Sequence, residues 1–258
     1  MKRVIIILTI FTVVILIIFY MVKSNDVLPN TAKEEQKETT IEDKKQPIDI
    51  PDVSLEDSDT ITIDNTSDIQ NEKITRSILD MPFLVQAPLA NWDPLHEEAC
   101  EEASILMINA YKNNKNISTK EGESAILELT KWEEDKGYGF SISLSELNEI
   151  AKQYFNLNNG RIVDNPTAEM IKNEIIDNKP IIIPAAGKLL SNPNFRNGGP
   201  NYHMLVIKGF DETNFITNDP GTRKGEGYKY RYNALMNSIH DWDSDNILNG
   251  KRAYLVFD

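Results

Sequence analysis

A chain of 258 residues with one cysteine and a net charge of −13 is long enough to bury a sizeable core, yet its composition excludes several partners and devices. Asp and Glu outnumber Lys and Arg by 40 to 27 and no basic patch stands out, which argues against nucleic acid, because neutralising phosphates needs clustered cations. A lone Cys rules out an intramolecular disulfide.

Lys2 and Arg3 lead into an uncharged run from Val4 to Val22 that is rich in Ile, Val, Leu and Phe. About 19 residues at ~1.5 Å each nearly match a hydrocarbon core of roughly 30 Å, so the run reads as a transmembrane helix. Phe19, Tyr20 and Met21 stand before Lys23 where a cleavable signal would carry small residues, which favours an uncleaved anchor over residues 1–23. The positive charges crowded before the run put the N-terminus in the cytoplasm and the remainder outside, giving a single-pass protein of the cell membrane. Residues 24–77 contain no aromatic side chain. They carry a charge of about −8 and read as a disordered acidic tether.

Residues 78–258 divide into a helical first half and a strand-rich second half, an α+β layout. Ala103, Leu106, Met107, Ala110 and Tyr111 form the stripe of a half-buried helix that begins near Cys100. Further helices are expected near Lys120 to Trp132, over Leu144 to Phe155 behind a Ser143/Glu146 capping pair, and over Thr167 to Ile176. Ile181 to Pro184, Tyr202 to Lys208, Asn214 to Asn218 and Arg252 to Phe257 read as strands of an antiparallel sheet. A Gly- and Pro-rich loop over residues 192–200 precedes the strand with His203.

Cys100 at a helix N-terminus meets unpaired N–H groups and a positive dipole end, which favour the thiolate. Taken alone it reads equally well as a small buried hydrophobe. Glu97, Glu98, Glu101 and Glu102 surround it, and since carboxylates aimed at the sulfur would oppose a thiolate, they are expected to face solvent. A hairpin centred on Asp211 pairs Ile207 with Phe215, Leu205 with Thr217 and His203 with Asp219, close enough for the carboxylate to orient the imidazole. A slip of one residue substitutes Asn218. The other imidazole nitrogen is then free to take a proton from Cys100. Gln86 offers an uncharged donor for an oxyanion, although on spacing alone a plain surface amide explains it better. His96 and His240 rank below His203, the first for want of an orienting partner, and the three His residues lack the spacing of a zinc site.

Gln86, A-C-E-E-A-S at Cys100, G-G-P-N-Y-H-M-L-V-I-K-G through His203 and N-D-P-G through Asp219 occur in that order. Over residues 78–258 the chain resembles the C39-like cysteine peptidases, a branch of the papain-like fold. The resemblance implies a papain-like domain with Cys100 as nucleophile, His203 as base, Asp219 as its orienting acid and Gln86 in the oxyanion hole. It also implies a peptide or protein substrate and no cofactor or metal. A peptidoglycan amidase or endopeptidase, an acyl transferase, or a binding module without turnover could use the same scaffold.

Overall fold

The structure is a computed structural model and describes residues 74–258. The expected anchor over 1–23 and nearly all of the expected tether over 24–77 lie outside the described residues. Among the described residues no helix is long and apolar enough to cross a membrane.

A short strand β1 (Ser77–Ile78) is followed by helices α1 (Pro94–Glu97), α2 (Cys100–Lys112), α3 (Thr119–Lys136) and α4 (Leu144–Phe155). Then come β2 (Gly160–Asp164), α5 (Ala168–Ile176), β3 (Ile181–Ala186), β4 (Tyr202–Phe210) and β5 (Asn214–Asn218). The chain ends with β6 (Tyr228–Arg231), α6 (Tyr232–Ser238) and β7 (Ala253–Phe257). Helix α2 begins at Cys100, as the stripe predicts. Both α3 and α4 start on full capping boxes, Ser118/Glu121 and Ser143/Glu146, in which each Ser and Glu satisfies an N–H that the helix leaves unpaired.

The strands form one antiparallel sheet in the order β2-β7-β3-β4-β5-β6, with β1 alongside β4. Side chains alternate across it. Tyr202, Met204 and Val206 of β4 pack with Cys100, Leu147 and Ile150 on the α2 and α4 side, whereas Leu205 and Ile207 pack with Ile171 and Ile175 of α5 on the other. Because both faces are covered, β3 is apolar throughout, and each of its fully buried isoleucines (Ile181, Ile182 and Ile183) contributes about 1.5–3 kcal/mol of transfer free energy. Pro184 sits in this central strand without breaking it. Its missing N–H lies on the side of its own carbonyl, beyond the end of the β7 pairing, where that carbonyl accepts the N–H of His240.

The register of the β4–β5 hairpin differs from the arithmetic expectation. Ile207 faces Thr217 and Val206 faces Asn218, with an irregularity between Ile207 and Gly209. Asp211 accepts N–H bonds from Thr213 and Asn214 and so ends β4 with its own side chain, which shifts the centre of the turn toward Asn214. The shift is by an even number at the site end, so the two strands keep the faces that the expectation gave them.

Candidate active site

Cys100, the first residue of α2, is 4% exposed and shares a core cluster with Tyr202, Met204 and Val206 of β4. The N–H of Met204 donates to Sγ at 3.3 Å, so the sulfur rests against the peptide that joins His203 to Met204. The thiol itself donates to Oε2 of Glu101 at 2.8 Å. Burial and the neighbouring Glu101 carboxyl push the thiol pKa well above its ordinary value. In this rotamer those effects overcome the preference for thiolate that a helix N-terminus provides.

The glutamates around Cys100 divide against the sequence expectation. Glu97 and Glu98 face solvent, but Glu101 and Glu102 are buried, at 1% and 4% exposure. Glu101 is held by the N–H of Ile142 at 3.4 Å, and Glu102 is turned toward Glu133 on α3. A solvent-facing rule for charged residues fails here because consecutive positions on α2 point successively at the 142 segment and at α3.

His203 lies on the face of Leu205 and is 1% exposed. Its Nε2–H donates to Oδ1 of Asp219 at 2.8 Å. Phe195 packs edge-on against the imidazole, with ring centroids 5.4 Å apart. On a further side Gly221 approaches so closely that a Cβ there would stand 2.8 Å from Cε1 of His203, which is why this position carries no side chain. With Nε2 committed to Asp219, Nδ1 is the nitrogen left for chemistry. No hydrogen bond among the described residues joins the imidazole to Cys100, whose proton is directed at Glu101.

Asp219 is fully buried and meets donors only. Oδ1 accepts His203 and the N–H of Gly221, and Oδ2 accepts the Tyr230 hydroxyl at 2.5 Å and Nδ2 of Asn192 at 3.3 Å. Burial pulls the carboxyl pKa upward, but His203, Tyr230 and Gly221 together outweigh it and hold the pKa below the usual aspartate value. Asn218 points elsewhere, donating to the carbonyl of Pro82 and accepting the N–H of Gly227. The geometry therefore selects Asp219 over Asn218 as the partner of His203.

Gln86 is buried, and its Nε2 donates to the carbonyls of His96 and Glu97 at 2.8 and 2.9 Å. Both amide hydrogens are thus committed to the approach to Cys100, and its backbone N–H donates to the carbonyl of Pro220, beside Asp219. In this arrangement Gln86 braces the two halves of the site. His96, expected to lack a partner, has two: Nδ1 lies 2.8 Å from Asp93 Oδ1 and Nε2 3.3 Å from Glu123 Oε1. The contact with Glu123 pins α1 to α3, while that with Asp93 caps α1 itself. His240 stays apart, its Nδ1 3.4 Å from the carbonyl of Gly250.

A family model described as the Peptidase_C39 like family matches residues 78–246. The chain belongs to this family. A crystal structure of a candidate C39-like peptidase from Bacillus anthracis is similar to the C39-like domain at 15% identity and a TM-score of 0.47, over 71% of this chain and 97% of that one. No curated protein matches the chain.

Sequence reading missed several residues around the C39-like site. Tyr230 and Asn192 hold Asp219, and their hydrogen bond to each other is 2.7 Å long. The alternation of Tyr228, Lys229, Tyr230 and Arg231 was the available signal for a strand ending at the site, while Asn192 lies in the loop already marked by its Gly and Pro residues. Replacing Tyr230 with Phe removes the shortest bond to a buried carboxylate and is expected to destabilise the fold by about 1.5–3 kcal/mol in urea denaturation. The same change lets the Asp219 pKa rise, so acid unfolding should begin at a higher pH than in the parent chain.

Proposed function

We propose that this protein is a cysteine peptidase, anchored to the cell membrane by residues 1–23, that cleaves a peptide bond outside the cytoplasm. The observation that carries the reading is the buried Asp219–His203 pair, which leaves Nδ1 of the imidazole without a hydrogen-bond partner among the described residues, while the N–H of the next residue, Met204, donates to the Cys100 sulfur.

Reaction requires the thiol to leave Glu101 and pass its proton to Nδ1 of His203. The imidazole takes the proton, and the thiolate attacks the scissile carbonyl to give a tetrahedral intermediate. The backbone N–H of Cys100, among those at the start of α2 without an intrahelical acceptor, faces the developing oxyanion. His203 returns the proton to the leaving amine, and water then releases the acyl group by the reverse sequence. Asp219 keeps the proton on Nε2 and stabilises the imidazolium.

The experiment is covalent labelling of the full chain with a thiol-directed, peptide-like electrophile, followed by mapping of the adduct. A single adduct on Cys100 that protects against peptide cleavage is expected. Cleavage retained after Cys100→Ala would sink the mechanism.

A further inference from the structure

A cavity of about 560 Å³ lies between α1, the first turn of α2, the second half of α3 and the segment 138–140. Leu95, Leu127, Tyr138 and Phe140 give it apolar walls, while Glu102 and Glu133 line its buried side. The two glutamates are 4% and 3% exposed and face one another, so that burial and mutual repulsion favour a proton held between them. No donor among the described residues reaches Oε2 of Glu102 or Oε1 of Glu133. Two acids buried beside apolar space without a cation are a costly arrangement, and hydrophobic residues of similar size would serve packing better.

We propose that this cavity receives a cationic side chain, lysine or arginine, of the peptide being cleaved. The methylene stem lies along Leu95, Leu127 and Phe140, and the cationic head replaces the proton shared by Glu102 and Glu133. Tyr138 and Phe140 add aromatic surface that suits a planar guanidinium. Glu98 and Glu134 bring further negative charge to the lining, and Lys131, also in the wall, is drawn toward Asp135 at 3.5 Å. A metal ion fits less well, because among the described residues no group of three or more His, Cys, Asp or Glu is placed to hold one.

The place of the cavity relative to Cys100 fixes which side chain is read. Glu102 follows Cys100 by two positions, about 200° around the helix, so the cavity lies across the first turn of α2 from the sulfur. Crossing a helix of about 10 Å takes roughly three residues of extended chain. The cation therefore belongs about three residues from the scissile bond. Segment 138–140 runs directly into Ile142, whose N–H binds Glu101 beside the thiol, so the wall of the cavity and the reacting group share one support.

The proposal rests on the peptidase reading, and its test keeps the two separable. The full chain carrying Cys100→Ala is titrated with acetyl-arginine amide, acetyl-lysine amide and the neutral acetyl-norleucine amide by calorimetry. At least one cationic probe is expected to bind about tenfold or more tighter than norleucine. Glu133→Gln and, separately, Leu127→Lys at the exposed wall should each abolish that preference without lowering the melting temperature. Equal binding of the neutral probe, or cation binding that survives both substitutions, overturns the proposal. Cleavage of peptides by the unsubstituted chain is scored independently. Selective binding without cleavage keeps the pocket and retires the peptidase reading, whereas cleavage with no cationic preference does the reverse.

Discussion

Replacing His203 with alanine is expected to lower kcat/KM for peptide cleavage by about 10²–10⁴-fold, the range that a positioned proton-transfer group supplies. The loss should fall mainly on kcat, because in the proposed mechanism the imidazole acts in the transition state rather than in holding substrate. Asp219→Asn should lose a comparable amount for a different reason. All four contacts of the carboxylate come from donors, so an amide in its place turns an NH2 group toward donors in either orientation. One orientation forces the imidazole into the tautomer with its proton on Nδ1, which cannot accept one from a thiol. Steady-state rates on a fluorogenic peptide, with circular dichroism melts to confirm folding, decide the matter. A His203→Ala chain that keeps more than about a tenth of the parental rate would remove the imidazole from the mechanism.

Stability is expected to fall as pH rises from about 5 to about 8, by roughly 2–4 kcal/mol, in contrast to proteins whose acids are paired with cations. Burial raises the pKa of Glu133 to about 11, with Glu102 adding to the shift, while Glu101 and Glu102 are also raised by burial. A carboxyl whose folded pKa exceeds its unfolded value of 4.5 contributes stability that is complete below 4.5 and lost as pH climbs toward the folded value. Each pH unit in that interval costs up to about 1.4 kcal/mol per retained proton, until water entry or local opening relieves the charge. Glu133→Gln should flatten the slope and stabilise the chain by about 1–3 kcal/mol at pH 8, read from urea denaturation at several pH values. Asp219 has the opposite sign. Its lowered folded pKa contributes stability above 3.8 that disappears as pH falls through the folded value, so maximum stability is expected between about pH 4 and 5.

The elements that sequence made legible are those whose pattern answers to one strong constraint. The stripe from Ala103 to Tyr111 specified a helix beginning at Cys100, and the Ser143/Glu146 pair marked the start of α4. Strands β3, β4, β5 and β7 emerged as apolar runs because helices cover the sheet on both faces. The edge strands β2 and β6 were missed, since their charged residues reach solvent and resemble loops. At the site, the pairing of His203 with Asp219 was reached through a register that the structure corrects. What survived was the face of each residue, which a shift by an even number preserves. Contacts that depend on tertiary placement were not legible: the thiol on Glu101, the Glu102–Glu133 pair, and the grip of Tyr230 on Asp219. A residue type suggests what chemistry is available, but burial decides which proton is held and by whom.

Gln86 carries a consequence for how the domain opens. Its side chain grips the carbonyls of His96 and Glu97 while its backbone amide grips Pro220, so segments far apart in sequence are latched through one residue. An amide hydrogen in that latch exchanges with solvent only when the latch opens. The Gln86 amide should therefore exchange on the timescale of the Asp219 turn, marking both as one cooperative unit despite the long stretch of chain between them.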